Sequence, residues 1–194
     1  VTAQNVTLNV GGDLTQTAAI TASSLSVNAS AGAVTLTNAN NDVDSLAVNN
    51  GNRAVSFTDI DDLSLAGVTG GAVTLNVGGN LTQTAAITAS SLSVNASAGT
   101  VTLTNANNDV DSLAVSNAGR DVVFTDKDAL ALAGVTAQNV TLNVGGDLTQ
   151  TAAITASSLS VNASAGAVTL TNANNDVDSL AVNNGNRAVS FTDI

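Results

Sequence analysis

The chain has 194 residues and a formal net charge of −11, and it contains no Pro, Cys, His, Met, Trp or Tyr. With only four Lys and Arg residues, the chain is a poor match for nucleic acid, because phosphates are bound by basic side chains. No apolar run approaches the roughly 20 residues that span a bilayer, so insertion into a membrane is not expected.

One sequence is written nearly three times with a fixed 67-residue period. Residues 1–67 recur as residues 68–134, and residues 135–194 repeat residues 1–60 without a change. Val, Thr, Leu, Ser, Asn, Ala and Gly dominate, and these are strand and turn formers. A fixed period predicts a solenoid that grows along one axis. We therefore interpret residues 1–194 as one continuous domain and as an excerpt of a longer fibre.

Short segments of alternating apolar and polar residues recur within each period. In chain order they are SLSVN at 24–28, AVTLTN at 33–38, SLAVN at 45–49, AVSFTD at 54–59 and VTLNV at 73–77. The third segment follows the first, and the fourth follows the second, with the same 21-residue spacing. A third layer starts at Gly67 and includes Leu81. Together with this layer, the alternating segments predict three coils of ~21, ~22 and ~24 residues per period. Clusters of Gly, Asn, Asp and Ser between the segments predict turns.

This pattern predicts an all-β fold, a parallel β-helix (β-solenoid) of about nine coils with three coils in each repeat. Strands in adjacent layers lie ~4.8 Å apart, so the rod would be about 40 Å long and each further repeat would add ~14 Å. Asn28 and Asn49 would lie in register at a turn, where their side-chain amides could hydrogen-bond along the stack.

The inward positions can be checked inside the chain, because the first two periods differ at 13 of 67 positions. None of these differences falls on a residue that we place inward, as expected if changes of volume in a packed interior are costly. The predicted inward residues are Val34, Leu36, Leu46, Val48, Val55, Phe57, Leu63 and Leu65.

Three segments resemble filamentous haemagglutinin-type repeats, which belong to the large exoproteins of two-partner secretion. They are GGDLTQTAAI at 11–20, GAVTLTNANND at 32–42 and SLAV at 45–48. The likeness covers essentially the whole chain. It implies a right-handed parallel β-helix, secreted through an outer-membrane partner and held at or shed from a bacterial cell surface as an adhesin or matrix fibre.

Carboxylates are the only plentiful reactive groups. Asp42 and Asp44, with Asp59, Asp61 and Asp62, could offer oxygen ligands to Ca²⁺, which takes six to eight of them. The Gly-Gly-x-Gly-x-Asp pattern of Ca²⁺-loaded β-rolls is absent, and Asp also serves turns. The Asp42/Asp44 pair would recur every third coil, ~14 Å apart and beyond the ~8 Å screening length, so like charges would not stack. This spacing favours the role in turns, and we assign no metal site.

Some parallel β-helices cleave polysaccharides, and such chemistry needs a unique cluster of acids or a base beside Arg or Lys. Here every acidic group is repeated, His is absent, and the basic residues Arg53, Arg120, Lys127 and Arg187 are scattered. We therefore predict that the chain is not an enzyme, with no catalytic residue and no cofactor.

Threonine pairs such as Thr35/Thr37 could form an outward file that orders water, as in ice-binding solenoids. The next coils offer Ser56/Thr58 or Val123/Thr125, so that file would be interrupted.

These observations favour a non-enzymatic spacer, the shaft of a secreted or cell-surface adhesin or biofilm-matrix fibre. The alternative is a lateral surface that binds glycans or sister rods, although no Trp or Tyr is present for sugar stacking. Because terminal coils would expose unpaired backbone, end-to-end association of copies is also expected.

Overall fold

The computed structural model of the protein describes residues 1–29, 31–117 and 119–194. These residues form strands and turns without any helix. The strands are Thr2–Val10 (β1), Leu14–Thr15 (β2), Thr21–Ala29 (β3), Val34–Leu36 (β4), Asp42–Val43 (β5), Ser45–Asn49 (β6), Val55–Asp59 (β7), Leu63–Val77 (β8), Leu81–Ala96 (β9), Val101–Leu103 (β10), Asp109–Val110 (β11), Ser112–Asn117 (β12), Val122–Asp126 (β13), Leu130–Val144 (β14), Leu148–Ala163 (β15), Val168–Leu170 (β16), Asp176–Val177 (β17), Leu180–Asn183 (β18) and Val189–Phe191 (β19).

The strands pair in parallel with strands of the neighbouring turns. Leu25 lies opposite Leu46, and Val34 lies opposite Val55, as the 21-residue spacing of the matched segments predicts. The all-β parallel solenoid is therefore confirmed. Val55 in turn pairs with Val73, so some turns are shorter than the predicted coils, and the chain makes about 10 turns instead of nine.

The 67-residue period is not a whole number of turns. Three turns lead from Val6 to Leu65. Val73, the counterpart of Val6 in the second repeat, lies further along the chain and pairs with Val55 on another side of the rod. Each repeat thus advances about 3.4 turns and about 16 Å. The prediction of three whole coils per repeat is wrong, because residues that pair in adjacent turns are only 18 to 21 positions apart, so 67 residues make more than three turns.

The interior of the solenoid is one continuous apolar core. All the residues that we predicted to point inward are buried. Phe57 and Phe124 are 1% and 0% exposed, whereas Phe191, in the last turn, is only partly buried. Apolar residues of successive turns stack in columns, as Leu63 does on Leu81. Because each fully buried Val, Leu or Phe stabilises the fold by about 1.5–3 kcal/mol, the stacked core holds the turns together.

Two differences between the repeats fall on buried positions, Gly70 and Gly71. A Cβ on Gly71 would lie 2.6 Å from the carbonyl oxygen of Asn52 in the preceding turn. In the next repeat Gln138 replaces this glycine, and Gly119 stands where Asn52 stood. Because the closest contact is with backbone, the loss of the Asn52 side chain alone would not make room for Gln138; Gly119 has a φ of 77°, a left-handed conformation that favours glycine.

Candidate functional site

The acidic residues considered as metal ligands do not converge on one point. Asp44, Asp61 and Asp62 are exposed, Asp42 is half-buried and Asp59 is buried. Among the described residues, no group of three or more acidic side chains could hold a metal ion. The Asp62 carboxylate instead accepts a hydrogen bond from the backbone N–H of Asn80 in the next turn, at 2.6 Å. Asp62 thus joins two turns at a corner of the rod.

Copies of the repeated acidic pair lie on different sides of the rod. Asp42 pairs with Thr21, whereas Asp109 pairs with Thr88, and these two threonines belong to different columns of stacked residues. The third copy, Asp176, lies in a further column. The prediction that the pairs recur above one another at every third coil is therefore wrong. Because a repeat advances about 3.4 turns, like charges are separated around the axis as well as along it.

Asp59 and its counterpart Asp126 are buried carboxyl groups, with 3% and 2% of their surface exposed. One carboxyl oxygen of each accepts a backbone N–H of the preceding turn, from Val43 and Val110, at 3.0 Å. The second oxygen of Asp59 is buried without a partner. Burial raises the pKa of Asp59 to about 7. The charge of the nearby Asp61 adds to this rise, and the backbone hydrogen bonds to the carboxylate oppose it.

The same cause raises the pKa of Asp126 to about 6, with Asp128 as the neighbouring carboxylate. Asp59 is one of the candidate ligands that the sequence suggests, and its burial removes it from the surface. The alternation of the segment already indicated this, since Val55, Phe57 and Asp59 share the inward phase.

Asn41 is a buried amide that joins three successive turns. Its Nδ2 donates to the carbonyl oxygens of Leu36 at 3.2 Å and Thr58 at 2.9 Å, and its Oδ1 accepts the backbone N–H of Ile20 at 2.9 Å. The Gln16 amide donates to the same Oδ1 at 2.8 Å. Equivalent amides occupy the other repeats at Asn108 and Asn175. We name Asn41, Asn108 and Asn175 the asparagine clamps.

The sequence pointed to other asparagines. Asn28 and Asn49 do lie opposite one another, as predicted. Their side chains are exposed, however, and within the described part of the chain no hydrogen bond joins their amides. The sequence analysis did not identify Asn41. Of the neighbouring residues Asn40 and Asn41 at this corner, only Asn41 is buried, and its inward position is the signal that was missed.

Basic side chains make one ion pair among the described residues. Lys127 Nζ lies 2.6 Å from Asp109 Oδ2 in the preceding turn. Lys127 replaces Ile60 of the first repeat, whose side chain is 51% exposed. Arg53, Arg120 and Arg187 are exposed residues that the repeat places at corners. An exposed pair of this kind contributes little to the stability of the fold, because water and salt screen the two charges.

The outer surface carries hydroxyl groups and shallow depressions. Ser45, Ser64, Thr82 and Thr102 lie opposite one another in successive turns and form an outward file, which Val123 interrupts in the next turn. Equivalent open depressions of about 240 and 250 Å³ lie beside Asp59 and Asp126. They are concave parts of the surface that recur with the repeat.

No helix of a length and hydropathy suited to crossing a membrane occurs in the described residues. A family described as repeats of unknown function (DUF5649) matches residues 1–49, 52–117 and 119–184. Neither the curated proteins nor the solved structures contain a match to the chain.

Proposed function

The chain belongs to the DUF5649 family of repeats, and we propose that it is the structural shaft of a secreted or cell-surface bacterial fibre. It acts as a rigid spacer and not as an enzyme, holding a binding tip away from the cell or building matrix. The observation that carries the proposal is the unbroken core, which runs from Val6 to Val177 through successive turns.

Rigidity follows from how the turns are joined. Bending would separate stacked turns on one side, so it must break parallel backbone pairing and expose apolar columns such as that of Leu63 and Leu81. Each asparagine clamp adds hydrogen bonds that together join three successive turns. A shaft needs nothing further from its surface, which agrees with an outer face of small polar residues.

The adhesin role, the bacterial surface and the outer-membrane secretion partner rest on the resemblance to filamentous haemagglutinin-type repeats. The 67-residue repeat supports the spacer role independently of that resemblance. Duplication of a repeat lengthens the rod, and the added turns make the same kinds of contact as the existing turns. Each added repeat contributes about 16 Å of reach.

A length series tests the spacer. Arrays of three, six and nine repeats are compared by small-angle scattering and by imaging of single particles. The maximum dimension should rise linearly, by about 48 Å for every three repeats. A dimension that grows with the square root of repeat number, as for a flexible chain, would refute the rigid shaft.

A lateral binding surface is the second candidate, and the file of Ser45, Ser64, Thr82 and Thr102 favours it. Such a face could bind neutral glycans or a sister rod, or order water as ice-binding solenoids do. The same three arrays, without any tip, would be applied to a glycan array and to a thermal-hysteresis assay. Specific binding that grows with repeat number would favour this surface over a passive shaft.

A further inference from the structure

Two corresponding corners of the rod differ in the residue that follows a buried asparagine. The first corner, residues 50–54, reads NGNRA, and the second corner, residues 117–121, reads NAGRD. An asparagine that precedes glycine, as Asn50 does, is especially prone to lose its side-chain amide. The reason is that glycine has no Cβ to hinder attack by its own backbone nitrogen. The two corners therefore differ at the position that controls this reaction.

The structure gives Asn50 and Asn117 matching surroundings. Each is 1% exposed. The Nδ2 of each donates to the carbonyl oxygen four residues later, that of Ala54 at 2.9 Å and that of Asp121 at 3.2 Å. Among the described residues, the Oδ1 of each is buried without a hydrogen-bond partner. Burial and hydrogen bonding of the two amides are thus alike, which leaves the following residue as the difference that bears on the reaction.

The Asn50 side chain is held by its own corner. Within the described part of the chain its amide bonds only to Ala54, whereas the amide of Asn41 joins three turns. Residues 51–54 are exposed. Local opening of an exposed corner costs much less free energy than unfolding of the core. Such an opening brings Cγ of Asn50, the backbone nitrogen of Gly51 and water together without unpacking the apolar interior.

We propose that Asn50 is a site of deamidation in the folded rod. The backbone nitrogen of Gly51 attacks Cγ of Asn50, the bond from Cγ to Nδ2 breaks, and the proton of the attacking nitrogen leaves with Nδ2 as ammonia. One water molecule then opens the cyclic imide to aspartate or isoaspartate. The reaction needs only solvent. This modification goes beyond the spacer role and does not depend on it.

Deamidation loosens the contact between the first corner and the next turn. A carboxylate oxygen in place of Nδ2 has no proton to donate to the Ala54 carbonyl oxygen, and a buried charge without a partner is costly. Isoaspartate also adds a methylene group to the backbone of the corner. The N–H of Gly71 in the next turn donates to the carbonyl oxygen of Arg53 at 2.7 Å. This bond should weaken once Asn50 is deamidated.

Ageing of the folded chain in mildly alkaline buffer, followed by trypsin digestion and tandem mass spectrometry, tests the proposal. Cleavage after Arg53 and Arg120 places Asn50 and Asn117 on separate peptides. Asn50 should deamidate at least about tenfold faster than Asn117, which corresponds to a difference of about 1.4 kcal/mol in activation free energy. Both rates come from one sample of the unaltered chain, so the comparison does not depend on the folding of a variant.

Exchange of the two corner sequences supplies matched controls, since both sequences already occur in the chain. Gly51→Ala combined with Asn52→Gly gives the first corner the order of the second, in which Gly119 has a φ of 77°. This pair of changes should slow deamidation of the first corner to the rate of the second. Ala118→Gly combined with Gly119→Asn should transfer fast deamidation to the second corner.

Hydrogen exchange in the aged chain measures the consequence. The Gly71 amide should exchange faster after deamidation, while the Gln138 amide, which donates to Arg120 at 2.7 Å, should stay slow; equal behaviour of the two amides would contradict the loosening. Equal deamidation of Asn50 and Asn117 would overturn the proposal, as would an Asn50 that deamidates in urea but stays intact in the folded chain. The length series measures the spacer role separately, so the two failures are distinguishable.

Discussion

The asparagine clamps should be the most sensitive polar positions of the rod, and Asn108→Ala in the central turns tests this. Asn108 is 0% exposed, and its Oδ1 accepts the backbone N–H of Ile87 at 2.9 Å. Its Nδ2 donates to the carbonyl oxygen of Thr125, also at 2.9 Å. Alanine would remove both contacts and leave two buried backbone groups without partners.

Each buried backbone group left without a partner costs about 1–3 kcal/mol, so Asn108→Ala should lower the free energy of unfolding by about 2–6 kcal/mol. The matched control is Asn95→Ala, because Asn95 is exposed on the outer face. That change should stay within about 0.5 kcal/mol of the unaltered chain.

Urea unfolding followed by circular dichroism measures the difference. Because stacked repeats can unfold in segments, hydrogen exchange at the Ile87 amide provides a local readout. Exchange there should accelerate in Asn108→Ala and stay slow in Asn95→Ala. Equal stability of the two variants would refute the view that the clamp joins successive turns.

Three further changes have defined outcomes. The raised pKa values of Asp59 and Asp126 mean that the folded chain holds protons which the unfolded chain releases, so the free energy of unfolding should fall as pH rises from about 4 to about 7. Asp59→Asn should flatten that decline in pH-dependent urea unfolding; an unchanged profile would contradict the assignment. Gly99→Ala should destabilise the rod by more than about 2 kcal/mol in thermal melts, because a Cβ at residue 99 would lie 2.1 Å from the backbone of the preceding turn. Gly12→Ala is the control, and it should be neutral because a Cβ there meets nothing within 4 Å. A chelator should leave the melting temperature unchanged if the carboxylates serve turns, and a fall of many degrees would indicate a bound cation.

Local alternation in the sequence determined which residues line the interior. Val34, Leu36, Val55 and Phe57 stand at every second position of their segments, so a strand had to place them on one face. The equal spacing of the matched segments also gave the correct pairing of the second and third turns. These features depend only on neighbours along the chain and on one shared spacing.

Tertiary structure alone decided how many turns a repeat makes and which polar residues are internal. Turn length is set by the corners, and at Gly67, with φ at 108°, the paired strands slip by a residue. Such shifts change the pairing while the sequence period stays constant. Asn41 and Asn28 look alike in sequence, but only the stacked backbone places carbonyl and N–H groups around Asn41. Hydrogen-bond partners that come from adjacent turns cannot be read from one turn.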